Sequence, residues 1–86
     1  MNTPNPFTGA TDVAFALPEA SQVHLVVYDV NGRVVRHLID RSMPAGDHRV
    51  RWDGLDVGGS RVSSGVYIYE LRTPRFDETR TMILQR

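Results

Sequence analysis

Apolar and polar residues alternate along much of this chain with a period of two. In 11–17, Val13, Phe15 and Leu17 share one face, Asp12, Ala14 and Ala16 share the other, and Pro18 closes the run. An extended chain sends alternate side chains to opposite faces, so the pattern predicts a strand buried on one side. The stretch 22–30 repeats it with Val23, Leu25 and Val27 inward. Val26 and Tyr28 are apolar as well, which predicts a central strand partly covered on its second face. Asn31 and Gly32 follow, and both tolerate the positive φ of a two-residue type I′ hairpin turn. The returning strand, 33–39, carries its core candidates at Val35 and Leu38. That odd spacing breaks the alternation and predicts a bulge or bend near Arg36 and His37.

Pro44-Ala45-Gly46-Asp47 predicts the next turn, and 48–52 resumes the alternation, with Val50 and Trp52 inward and Arg49 and Arg51 outward. A loop carrying Gly54, Gly58 and Gly59 comes next, with a short strand expected at 61–63. Gly65 opens the clearest strand, which puts Tyr67, Tyr69 and Leu71 on one face and Val66, Ile68, Glu70 and Arg72 on the other. A turn over 73–77 leads to a last strand at 78–85. Ahead of all these, residues 1–10 are rich in Pro, Asn, Thr and Gly with one apolar anchor, Phe7, and read as a linker and lead-in to a domain at 11–86. About seven short strands with no helical periodicity predict an all-β, antiparallel sandwich of immunoglobulin-like (fibronectin III-like) form. In such folds a corner tyrosine stands two residues before an inward core position. Tyr67 fits the corner, Tyr69 the core position, and Trp52 is the other large anchor.

Eighty-six residues allow one core and no second domain. A chain of this size buries roughly 60–65% of its unfolded surface, so its stability is modest and unpartnered buried polar groups are costly. Ten Arg balance ten acidic residues, Lys is absent, and the formal net charge is zero. That balance argues against a dedicated nucleic-acid binder, which needs a basic footprint. Without Cys there is no disulfide framework and no thiolate metal site. The longest apolar run, Leu25-Val26-Val27-Tyr28, is far shorter than the roughly 20 residues that span a bilayer. No segment has the layout of a secretory signal, so any export signal is expected upstream of Met1.

Chemistry-bearing residues are scattered. Asp29 stands beside the Asn31-Gly32 turn, where its carboxylate is expected to accept backbone N–H groups. Asp53 and Asp56 flank glycines, but the spacing and closing Glu of a calcium loop are missing. His24, His37 and His48 fall on different strands without zinc-site spacing. Ser63 and Ser64 lie outside a nucleophile elbow, and Gly58-Gly59 precedes no helix that would cradle phosphate. The expectation is a non-catalytic domain with no cofactor and no metal.

Taken in order, these segments resemble a known family. They are Pro4-Asn5-Pro6-Phe7, Leu17-Pro18-Glu19-Ala20, Val27-Tyr28-Asp29-Val30-Asn31-Gly32-Arg33-Val34-Val35, Ala45-Gly46, Trp52-Asp53-Gly54, Ser64-Gly65-Val66-Tyr67-Ile68-Tyr69 and the closing Met82-Ile83-Leu84-Gln85-Arg86. The chain is similar to FlgD-type immunoglobulin-like domains, in the variant that serves as the C-terminal sorting domain of the type IX secretion system. The resemblance implies a module of a larger exported bacterial protein, joined to an upstream cargo domain and carried through periplasm and outer membrane to the cell surface or medium. Its implied partners are the outer-membrane secretion machinery and a surface sortase, with Met82, Ile83, Leu84, Gln85 and Arg86 as candidate recognition residues. Phe7, Phe15, Asp29, Asn31, Gly32, Trp52, Gly54, Gly65, Tyr67, Tyr69 and Leu71 are the expected core and turn positions. The alternative is a structural spacer, or a polysaccharide- or protein-binding module that uses Tyr28, Arg49 and Arg51. The flagellar hook-capping protein shares the fold, but there another domain interrupts it.

Overall fold

A computed structural model describes residues 2–86. Its strands are β1 (Asn2–Thr3), β2 (Thr11–Leu17), β3 (Ser21–Asp29), β4 (Val34–Met43), β5 (Gly46–Trp52), β6 (Gly65–Arg72) and β7 (Asp77–Leu84), and no helix occurs among the described residues. They form a three-stranded sheet in the order β1-β2-β5 and a four-stranded sheet in the order β4-β3-β6-β7, with every named pairing antiparallel. The fold is therefore an all-β sandwich. Six strands have seven residues or more, and β1 has only two.

Alternation explains which residues meet between the sheets. Val13 and Leu17 of β2 and Trp52 of β5 pack against Val23, Leu25 and Val27 of β3, Tyr67, Tyr69 and Leu71 of β6, and Met82 and Leu84 of β7. Phe7 joins them from outside any strand, and Phe15 and Val50, on inward positions, are only partly buried. Phe15 instead lies over the His48 ring at 5.4 Å. Val26 is buried on the second face of β3, which has neighbours on both sides, whereas Tyr28 there is half-buried.

Several sequence expectations need correction. The hairpin after β3 has three residues in its loop, not two. Gly32 N–H donates to Asp29 O (3.0 Å), Asp29 N–H donates to Arg33 O (3.0 Å), and only Gly32 has positive φ, at 81°. A type I turn closed by one left-handed residue satisfies the strand twist as well as a type I′ turn does, and needs glycine at one position only. The single bend expected near Arg36 and His37 is two register shifts that flank that pair, where Leu38 and Val35 have no direct partner on β3. With both shifts, Val35 and Ile39 face the core and Leu38 is half-buried. β4 also runs on to Met43, whose buried side chain ends the strand at the corner where the chain changes sheets. The strand expected at 61–63 is absent. Arg61 makes one isolated bridge to Leu55, and Asp56 N–H donates to Ser60 O (2.9 Å) within the same loop.

The leading segment is built into the sandwich. β1 pairs with Asp12 and Val13 of β2, the chain crosses to β7 at Asn5 and Phe7, and it returns to begin β2. The buried Thr11 hydroxyl donates to Pro4 O at 2.7 Å, holding the crossing in place.

Candidate recognition site

The last strand and the leading segment form one unit. Asn5 Oδ1 accepts Ile83 N–H at 2.9 Å, and Asn5 Nδ2 donates to Thr81 O at 3.4 Å. Phe7 N–H donates to Ile83 O (3.0 Å), and Gln85 N–H donates to Phe7 O (2.8 Å). The Asn5 amide mimics a peptide group, and Phe7 makes a true parallel bridge to β7. Together they cover the outer edge of β7 over its second half, which would otherwise offer unpaired backbone groups.

Beneath this edge lies an aromatic cluster. The Phe7 ring meets the Trp52 ring edge-on at 5.7 Å, and Trp52 meets Tyr67 edge-on at 5.4 Å. Trp52 Nε1–H donates to Leu55 O at 3.0 Å, so the fully buried indole keeps its one polar group satisfied. Tyr67 Oη–H donates to Ser63 O at 2.6 Å, a hydrogen bond to the backbone four residues upstream like that of a tyrosine corner. Tyr69, two residues on, is buried under the sheet.

The five candidate recognition residues divide by face. Met82 is 0% and Leu84 1% exposed, so both belong to the core and cannot touch a partner. Ile83 points outward at 40%, directly across the ladder from Val66 at 43%. Gln85 and Arg86 are exposed. Arg86 is nonetheless held: its N–H donates to Ser64 Oγ (2.9 Å), Nε to Val62 O (3.0 Å) and a terminal guanidinium nitrogen to Gly54 O (3.4 Å). Gly54 is required here, because its φ is 77° and an added Cβ would stand 2.9 Å from Gly9 O and 3.1 Å from the Arg86 guanidinium. Gly65 opens β6 at the far side of that loop.

The other candidates are engaged locally. Asp29 Oδ1 accepts from Asn31 N–H (2.9 Å) and Arg33 N–H (3.0 Å), and Oδ2 accepts from Arg33 Nε (3.2 Å). These bonds, the Arg33 amide first, hold its carboxyl below the usual carboxylate range. Asp53 and Asp56 likewise accept from backbone amides in the loop after β5, of Leu55, and of Gly58 and Ser60 respectively. His24 pairs with Asp40 at 3.1 Å and His48 Nε2 lies 2.7 Å from Pro44 O. No group of three or more His, Cys, Asp or Glu among the described residues could hold a metal ion. Arg49 and Arg51 both reach Asp12, at 3.7 and 3.1 Å, and Tyr28 Oη–H donates to Glu70 (3.3 Å).

Sequence reasoning missed Asn5 as a bridge, Arg36 as a clamp donating to Asp53 and Leu55 O, and Asp12 as the anchor of two arginines. Asn5 sits 78 residues from Ile83, and no local pattern announces such a contact. Asp12 was readable only once β2 and β5 were known to pair.

These features define an immunoglobulin-like β-sandwich module whose last strand is bonded to its leading segment. The chain belongs to the FlgD Ig-like domain family, whose model matches residues 1–74. No curated protein matches the chain. Among solved structures it is similar to PorZ, an essential bacterial surface component of the type-IX secretion system of Porphyromonas gingivalis. That likeness has a TM-score of 0.70 at 20% identity and covers 100% of this chain, which spans 11% of the PorZ chain. It is a likeness of fold.

Proposed function

We propose that this domain is a non-catalytic sorting and anchoring module of an exported bacterial protein, recognised by the type IX secretion machinery. In this reading an upstream cargo domain shares its polypeptide, a surface sortase acts on the linkage, and the product resides at the cell surface or outside the cell. Membership of the FlgD Ig-like family and the fold shared with a type-IX surface component support it. The observation that carries it is the state of the last strand. β7 is fixed at its edge by Asn5 and Phe7, yet keeps Ile83 and Gln85 outward beside Val66. A receptor can read such a surface without unfolding the domain, and the surface exists only once the first and last segments have met. It therefore signals that the module is complete and folded.

The test must spare the core. Removing the last strand would delete Met82 and Leu84 and unfold the sandwich whatever its function. The better variant is Ile83→Arg, fused to a periplasm-directed reporter in a host that has the machinery. Surface delivery should fall severalfold while the purified domain melts within a few degrees of the parent. Unchanged delivery of Ile83→Arg and of Ile83→Arg/Val66→Arg would overturn the reading.

A further inference from the structure

The chain has three asparagines, and their successors differ in what they allow. Asn2 precedes Thr3, whose branched side chain crowds its own amide nitrogen. Asn5 precedes Pro6, which has no N–H to lose. Asn31 precedes Gly32, where no Cβ shields the nitrogen. Even an added Cβ at Gly32 would meet nothing within 4 Å, so the space around this amide is open. Asn31 is exposed, and its side chain makes no hydrogen bond among the described residues. An asparagine so placed is open to attack by the nitrogen of its own successor. Against that stands Asp29, which gathers the N–H groups of three consecutive residues. Its carboxylate accepts from Asn31 (2.9 Å) and Arg33 (3.0 Å), and its carbonyl accepts from Gly32 (3.0 Å). Arg33 Nε adds a fourth bond, to Oδ2 at 3.2 Å. The Gly32 N–H is thus turned onto Asp29 O, and the amides on both sides of it are pinned by one side chain.

We propose that Asn31-Gly32 is a site of spontaneous deamidation, and that Asp29 is the positioning residue that restrains it. When the turn loosens, the Gly32 nitrogen gives its proton to a solvent base and attacks Asn31 Cγ. The C–N bond of the side-chain amide breaks, ammonia departs, and a five-membered succinimide joins the two residues. Water then adds to one of the two imide carbonyls. Opening at one restores the ordinary main chain with aspartate at 31, and opening at the other routes the main chain through Cβ as isoaspartate. One water is consumed and one ammonia released, and no oxidant or reductant takes part. Either product sets a new carboxylate beside that of Asp29. Isoaspartate also puts one more carbon between the Asn31 Cα and the Gly32 nitrogen, so the three N–H groups no longer converge on Asp29. The change stays at the hairpin tip, where Val30 and Val34 are exposed, because Val27 and Val35 on either side are buried in the core. The reaction needs only the hairpin and water, and it holds whatever the domain does in export.

The purified domain is held at pH 8 below its melting range, and samples are digested over time. The peptide carrying Asn31 is followed by the mass gained when an amide becomes an acid, and isoaspartate is counted with an isoaspartate-specific methyltransferase. Conversion should occur at Asn31 ahead of Asn2 and Asn5, and more slowly in the folded domain than in the urea-unfolded chain. Asp29→Ala should speed it roughly two- to tenfold, the range of one hydrogen bond. Asp29→Asn, whose side-chain oxygen can still accept from the two flanking amides, should stay nearer the parent. Phe15→Ala, which loosens the domain away from the hairpin, should leave the rate at Asn31 unchanged. The folded-against-unfolded comparison on the parent stands even where Asp29→Ala folds poorly. The proposal is overturned by faster conversion at another asparagine, or by no conversion of the folded parent within a month. Equal rates in folded and unfolded parent, an Asp29→Ala rate equal to the parent's, or equal acceleration by Phe15→Ala and Asp29→Ala would each overturn it too.

Discussion

Tyr69 and Asp29 carry perturbations of opposite sign, and each has a pH signature. The Tyr69 phenol is raised above its ordinary value chiefly by burial, with nearby Arg80 opposing and Glu78 reinforcing the shift. A folded-state pKa above the unfolded value of about 10 means that the contribution is fully present below pH ~10 and is lost as pH rises through the folded value. Tyr69→Phe removes both that alkaline liability and an unsatisfied hydroxyl, whose desolvation costs about 1–3 kcal/mol. The variant should be more stable than the parent by about 0.5–2 kcal/mol at pH 7, with a wider gap at pH 11. Urea melts at the two pH values check this, and a destabilised variant would show that the hydroxyl is bonded after all. Tyr28, raised by burial and by Glu70, adds to the parent's alkaline decline and is common to both proteins. For Asp29 the folded value is depressed, so its contribution is present above the unfolded pKa of about 3.9 and fades as pH falls through the folded value. Asp29→Ala should lower the melting temperature at pH 7, and the two melting curves should converge as the pH drops below 3.

At the scale of elements, the unit to explain is a strand pair separated by almost the whole chain. Asn5 and Phe7 on one side and Thr81, Ile83 and Gln85 on the other exchange four hydrogen bonds. Two of them depend on the Asn5 amide, so Asn5→Ala should cost about 1–2 kcal/mol at the usual worth of an internal hydrogen bond. Amide exchange should quicken at Ile83, while Val27 in the centre of the second sheet keeps its protection. Quickening spread evenly over β3 and β6 would mean that Asn5 supports the whole fold rather than this edge. Strands such as β2, β3 and β6 were legible because one face is buried, and burial of one face writes a period of two into the sequence. β4 was only half legible. Its two register shifts put Val35 and Ile39 inward at a spacing that fits neither helix nor regular strand, and its last residues, Asp40, Arg41 and Ser42, look like loop until Met43 is seen to be buried. The leading segment was least legible, since Pro4 and Pro6 read as linker residues, and only the register of β7 reveals what Asn5 does. The candidate recognition residues were misread for a related reason. A run named as one patch, Met82 to Arg86, alternates like any strand, so the core claims two of its five members.

On the scale of the molecule, stability converges on the aromatic cluster, because it ties together both sheets, the leading segment and the glycine loop. Trp52 belongs to β5 of the smaller sheet, Tyr67 to β6 of the larger, and Phe7 to the segment that laces the flank. The indole N–H holds the loop at Leu55 O, where Arg36 also donates, and Arg86 closes the same loop from the far side at Val62 and Gly54. Per-residue scaling gives a domain of this length about 4–13 kcal/mol of stability, and truncating a buried Trp to Ala costs about 3–5 kcal/mol from the lost contacts and the cavity alone. Trp52→Ala should therefore leave a domain that is largely unfolded at 37 °C, and one whose residual structure, if any, has lost the loop and the lacing together. The informative control is Phe15→Ala. Phe15 is also aromatic and also on an inward register position, but it is half-buried and its ring meets that of His48 in its own sheet rather than the cluster. Its loss should lower the melting temperature by several degrees and leave one cooperative transition. If both variants melt alike, the cluster is not the keystone, and the two sheets are held together by their aliphatic residues instead.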